Sequence, residues 1–178
     1  MKIVTAPEYY TKQPNDICVF LAGGITNCKD WQSEVIKNLE ESYVYCGESE
    51  LEHLVIFNPR RADFPIDDKS AAYAQIEWEF YMLEQCDIFT MYFASGDSVQ
   101  PICLYELGRN ICRMQMRFPN DWEERIIITS DFDYKRYWDV YYQVNLATNR
   151  KIHVNTSDSL LSHSQEICLT YFVELRKR

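Results

Sequence analysis

The segment QPICLYELGRN, residues 100–110, carries the side chain best placed for covalent chemistry, Glu106. Pro101 suits the first turn of a helix, where its missing N–H removes no intrahelical bond. Glu106 then lies one to two turns in, on one face with Ile102, Arg109 and Asn110. The positive end of the helix dipole and the unpaired amides beside it favour an ionised carboxylate there, which suits a nucleophile more than an acid. Read without chemistry, the same residue is a solvated helix glutamate or the partner of Arg109.

The other acids carry weaker signals. Glu77 and Glu79 in QIEWEF fall on different faces of a helix, Asp87 opens a strand as a local cap, and Asp97 sits in the turn ASGDSVQ. Gly23 and Gly24 end an apolar run in VFLAGGITNCKDWQ, residues 19–32, and permit positive φ or close backbone approach to a ligand. AGGITN is neither GxGxxG nor a P-loop, which argues against a dinucleotide or nucleoside triphosphate held in those ways. Trp31 and Trp78 could stack a planar ring or fill the core. Arg60 and Arg61 could reach a phosphate or hold a loop. His53, His153 and His163 lie far apart without ligand spacing, so no metal or other cofactor is expected.

These candidates need a scaffold. Apolar runs of strand length at 17–23, 53–59, 87–93, 125–129 and 151–155 alternate with amphipathic stretches near 29–42, 70–85, 101–115, 134–148 and 158–176. Continuous apolar strands alternating with helices predict a doubly wound α/β fold, a five-stranded parallel sheet with helices on both faces. TSDS, residues 156–159, suits the cap of the last helix. RRADFPIDDK, residues 60–69, reads as the most mobile loop, and residues 1–15 as an arm before the first strand of a single domain spanning 1–178. Ligands of such sheets bind beyond the carboxyl ends of the strands, where strand order reverses. The segments expected there are 23–27, 58–68, 94–100 and the loop after Thr129.

Composition narrows the partners. With 18 basic against 27 acidic residues and a net charge of −9, the chain lacks the positive balance that a polymeric nucleic acid demands. Seven scattered cysteines form no CxxC pair and read as reduced thiols. No run of 18 apolar residues or signal-like leader is seen, so a cytoplasmic protein without membrane contact is expected. The aromatic cluster YKRYWDVYY, residues 134–142, reads as core or as an oligomer contact, and its tyrosines favour a homo-oligomer.

The segments FLAGGI with DWQ, then IFNPRR, AQIEWEFYMLEQCDIFTMYF and PICLYELG resemble, in that order over residues 15–115, the nucleoside 2-deoxyribosyltransferases, particularly their deoxyribosyltransferase-like branch. The resemblance implies a flavodoxin-like sheet and a glutamate nucleophile at Glu106 that attacks C1′ of a deoxyribosyl group. Substrate contacts are expected from Gly23, Gly24, Asp30, Trp31, Arg60, Glu77, Trp78, Asp97 and Gln100. The implied partner is a small nucleoside, nucleotide or free base. The chain departs from the family where many members have D-x-G-T-x-x-E, because Gln100 stands six residues before Glu106. Glutamine hydrogen-bonds a base edge but donates no catalytic proton. The resemblance therefore leaves two readings: cleavage or transfer at an N-glycosidic bond, or binding of a nucleotide or nucleoside derivative without catalysis.

Overall fold

The computed structural model describes all residues except 47–50, 66 and 158, and describes residues 42–46 by backbone alone. Its sheet has six parallel strands in the order β1-β3-β2-β4-β5-β6. These are β1 (Lys2–Thr5), β2 (Ile17–Gly23), β3 (Leu54–Asn58), β4 (Ile88–Phe93), β5 (Ile126–Ser130) and β6 (Val154–Thr156). The helices are α1 (Trp31–Cys46), α2 (Lys69–Gln85), α3 (Pro101–Arg117), α4 (Tyr137–Ala147) and α5 (Leu160–Arg176).

The expected count of five strands is corrected by one. The arm contributes an edge strand, with Lys2 to Thr5 registered against Val55 to Asn58 and Val4 fully buried. Four residues are too few to display a strand period, so β1 is formed by its neighbour β3 rather than by its own pattern. The last strand is shorter than the expected 151–155, because Asn149 and Arg150 take positive φ and keep the chain in a turn.

Alternation along β2 explains the layers. Ile17, Val19 and Leu21 face one side with Trp31, Val35 and Leu39 of α1 and Ile167 and Tyr171 of α5. Cys18, Phe20 and Ala22 face the other with Trp78 and Met82 of α2, Ile111 and Met114 of α3, and Val140 and Val144 of α4. Every residue of β4 is buried, as expected of a strand covered on both faces. The sheet runs outward from β2 through β3 on one side and through β4 on the other, so strand order reverses between β2 and β4. Gly23 registers with Tyr92 at that point. Helix ends follow local signals. Asp68 caps α2 by accepting from the Ser70 amide at 2.8 Å. Ser159 caps α5 by accepting from Leu161 at 3.2 Å, while Asp158 of the same expected cap lies outside the described residues.

Candidate functional site

A cleft of about 230 Å³ opens at the β2/β4 reversal. Gly23 to Thr26 form its floor, the start of α3 one wall, and Pro59 with Glu79 of α2 the other. Glu106 projects into it from the second turn of α3, beside Ile102 and Cys103. Its carboxylate has no hydrogen-bond or ion-pair partner among the described residues. Arg109, the expected cation, instead pairs with Glu84 at 3.1 Å and lies 4.6 Å from the centre of the Phe80 ring.

Burial works against the ionisation expected from the helix dipole. Burial, then the charge of Glu79, pushes Glu106 up to about 7, and Arg109 pulls weakly the other way. Desolvation of a carboxylate in a cleft outweighs a dipole whose influence fades within the first turn. Glu79 is raised too, by burial, although Gln75 donates to it at 2.9 Å. Two carboxyl groups therefore share one small site. Cys103, the other nucleophile-bearing residue there, is locked as a thiol: burial, then Glu106, pushes it up to about 12.

Gly24 packs closely against Cys28 and Gln100. A Cβ on Gly24 would stand 2.5 Å from Cys28 Sγ and 2.6 Å from Gln100 Oε1. Gln100 is the left-handed residue before α3, with φ 49°. Its Nε2 donates to the Ala94 carbonyl at 2.7 Å, leaving a buried Oε1 without a partner. Gly23 turns the chain at φ +152°, and a Cβ there would meet the Tyr92 carbonyl at 2.3 Å.

Glu106, Gly23, Gly24 and Gln100 thus converge, while the other expected contacts do not. Trp31 is fully buried and donates to the Gly24 carbonyl at 3.0 Å; Trp78 is fully buried and donates to Glu8 at 2.6 Å. Both indoles pack the scaffold. Asp30 accepts from Ser33 at 3.1 Å and holds the entry to α1. Arg60 is spent on that same loop, donating to Gln32 at 2.9 Å and to the Ile25 and Lys29 carbonyls. Asp97 is exposed and turns outward to Lys135 at 3.3 Å. Glu77 is exposed on the outer face of α2. Its neighbour Glu79, two residues on, is the one that enters the cleft. The spacing held that signal, since 75, 78, 79 and 82 share the face that Trp78 anchors in the core.

Beside the cleft, Asp131 accepts from the Tyr92 hydroxyl, from Ser95 N at 2.7 Å and from Lys29 at 3.2 Å. Burial opposes its charge, but these bonds win and hold it below the usual carboxylate range. This network ties the ends of β4 and β5 together and was not visible as a motif. Elsewhere, Asp121, Glu124 and Glu174 come close enough to hold a cation, but Lys177 already bonds all three at 2.7 to 2.8 Å. None of the described helices is long and apolar enough to cross a membrane.

A family model described as nucleoside 2-deoxyribosyltransferase like matches residues 16–118. No curated protein matches the chain at a significant level. The matched span runs from the start of β2 through α3 and includes every segment that builds the cleft.

Proposed function

Because the chain belongs to the nucleoside 2-deoxyribosyltransferase-like family, we propose that it cleaves or transfers at the N-glycosidic bond of a nucleoside or nucleotide, with Glu106 as nucleophile. The observation that carries this reading is an unpartnered Glu106 carboxylate in the cleft at the strand reversal, with Glu79 opposite. Cleavage builds oxocarbenium character at C1′, which an adjacent carboxylate captures. A Glu106 oxygen bonds to C1′ as the C1′–N bond breaks, and the bonding pair leaves with the base. The departing ring nitrogen takes a proton from Glu79, the other carboxyl group that lines the cleft. Water or a second base then attacks C1′, the ester bond to Glu106 breaks, and Glu79 recovers the proton. Thr26 and Ser98 in the lining supply hydroxyls for a sugar, and the Gln100 Oε1 accepts from a substrate donor.

A second reading, binding without turnover, is favoured by one feature: Gln100 stands where relatives place an acid. The exposed face of α4, with Trp138, Tyr142 and Leu146 more than half accessible, supports a homo-oligomer as part of the proposal. The test is base release and base exchange from deoxynucleosides and deoxynucleoside monophosphates, followed by chromatography beside Glu106→Ala. Release that disappears in Glu106→Ala supports the enzyme. Binding without release in the native protein ends the catalytic reading.

A further inference from the structure

The wall of the cleft that carries Glu106 starts at Gln100, the residue before α3. Its φ of 49° is left-handed, a region that a non-glycine residue keeps only where its surroundings impose it. The side chain depends on that conformation. Gln100 is buried, its Nε2 donates to the Ala94 carbonyl at 2.7 Å, and its Cδ lies 2.6 Å from where a Cβ on Gly24 would stand. It therefore bridges the end of β4 and the glycine floor.

Both peptide planes that flank residue 100 are held. On the helix side, the Gln100 carbonyl accepts from the Leu104 amide at 3.3 Å. On the loop side, the Gln100 amide donates to Ser98 Oγ at 3.2 Å, and the Val99 carbonyl accepts from the Tyr134 hydroxyl at 3.0 Å. Of these bonds the last alone comes from a distant part of the chain. Tyr134 follows β5, outside the family-matched span. Its buried ring stacks on Phe93 of β4, with centres 5.0 Å apart and planes inclined by 27°. Burial, then Cys103, pushes the phenol up to about 12, so the hydroxyl keeps its proton to donate. The neighbouring pair of Lys135 with Asp97 is exposed and adds little.

We propose that Tyr134 is a positioning residue of the cleft, whose hydroxyl fixes the Val99–Gln100 peptide plane and thereby keeps Gln100 in the shape that receives the ligand. The proposal rests on the reading that the ligand is a nucleoside or nucleotide. A peptide unit is rigid, so the φ of Gln100 is set by the tilt of that plane. Released, residue 100 relaxes to ordinary backbone, and its side chain no longer spans from the Ala94 carbonyl to Gly24. Part of the cleft wall goes with it.

Tyr134→Phe removes one hydroxyl and keeps the stack on Phe93. Val99 is exposed, so its carbonyl turns to water and the fold survives. Gln100→Gly is the control, since glycine takes positive φ without strain and needs no hold. Deoxyinosine and deoxyuridine, each with and without a 5′-phosphate, are titrated calorimetrically into the parent, both single variants and the double variant, all carrying Glu106→Gln to prevent turnover. Tyr134→Phe is expected to weaken the tightest ligand about fivefold, the worth of one neutral hydrogen bond, but less than about twofold in the Gln100→Gly background. In the free protein, the strong NMR cross-peak between a residue's own amide and α protons that positive φ gives is expected at Gln100 and should fade in Tyr134→Phe. Equal weakening in both backgrounds makes Tyr134 a general support of the fold and overturns the proposal. So does an affinity or a cross-peak that Tyr134→Phe leaves undiminished. If no ligand binds the parent while the cross-peak fades in Tyr134→Phe, the nucleoside reading falls and the hold on Gln100 stands.

Discussion

Replacing Glu106 by glutamine should stabilise the fold at alkaline pH while removing the proposed chemistry. The carboxyl moves from its ordinary value of 4.5 to about 7 on folding. At 1.36 kcal/mol per pH unit, that places roughly 3 kcal/mol against the charged form. Solvent at the cleft mouth removes a share, leaving about 2 kcal/mol. The sign follows from proton binding. Below pH 4.5 the group is protonated in both states and costs nothing. Between 4.5 and 7 the folded state binds the extra proton, so stability falls as pH rises. Above 7 the full penalty is present. Glutamine has the same shape and no charge, so Glu106→Gln should match the native protein near pH 4.5 and exceed it by about 2 kcal/mol at pH 8. For a chain of this length that is a rise of about 4–8 °C in Tm. Urea unfolding of both proteins at several pH values isolates the effect to the cleft, because every titrating group outside the Glu79 and Glu106 pair is common to both. A stability difference that does not grow between pH 4.5 and 8 would refute the claim that burial opposes this charge.

Other perturbations probe the rest of the site. Gly24→Ala should leave the fold intact but displace Gln100 and Cys28, weakening nucleoside binding at least tenfold by calorimetry. Gly23→Ala meets backbone rather than side chain and should cost about 2 kcal/mol or more in urea unfolding. Arg60→Ala frees the carbonyls of residues 25 and 29, which should cost about 2 kcal/mol and speed hydrogen exchange across 25–31. Glu79→Gln removes the second cause of the raised Glu106 pKa. The acidic limb of the base-release profile should therefore move below pH 7, and the maximal rate should fall about 100-fold for want of a proton donor.

Most of the scaffold was legible because strands buried on both faces betray themselves as continuous apolar runs, and β2, β3 and β4 are of that kind. The strand β1 was not, since four edge residues owe their conformation to a partner far away in sequence. The place of Glu106 near the strand reversal was legible from Pro101 and helical spacing, while its proposed role came from the family resemblance. Its protonation was not, because desolvation depends on walls supplied by α2 and the loop after β3, which helix geometry alone cannot provide. Trp31, Trp78 and Arg60 carry suitable chemistry, but each spends it on a backbone carbonyl of the scaffold. A residue type advertises what it can bind and says nothing of what has already claimed it. Glu79 was within reach of the helical period once Trp78 was taken as the core anchor, whereas Asp131 required knowing that β4 and β5 end side by side.

The two carboxyl groups in the cleft bear on one another in a way that neither would alone. The charge of Glu79 opposes the ionisation of Glu106, and burial opposes that of Glu79, so the cleft favours one negative charge over two. One carboxylate and one carboxylic acid are what glycosidic cleavage needs, a nucleophile for C1′ and a proton for the departing base. The family's usual aspartate before the nucleophile would add a third acid to this small volume. With Gln100 in that position, the cleft keeps a hydrogen-bonding group there without a further charge, and in the proposed reaction the proton has one source. The double variant Glu79→Gln with Gln100→Asp separates these roles. If an acid at position 100 restores base release lost with Glu79, the two positions are alternative proton sources. If it does not, Glu79 acts through its place on the α2 wall of the cleft, which an acid at the start of α3 does not occupy.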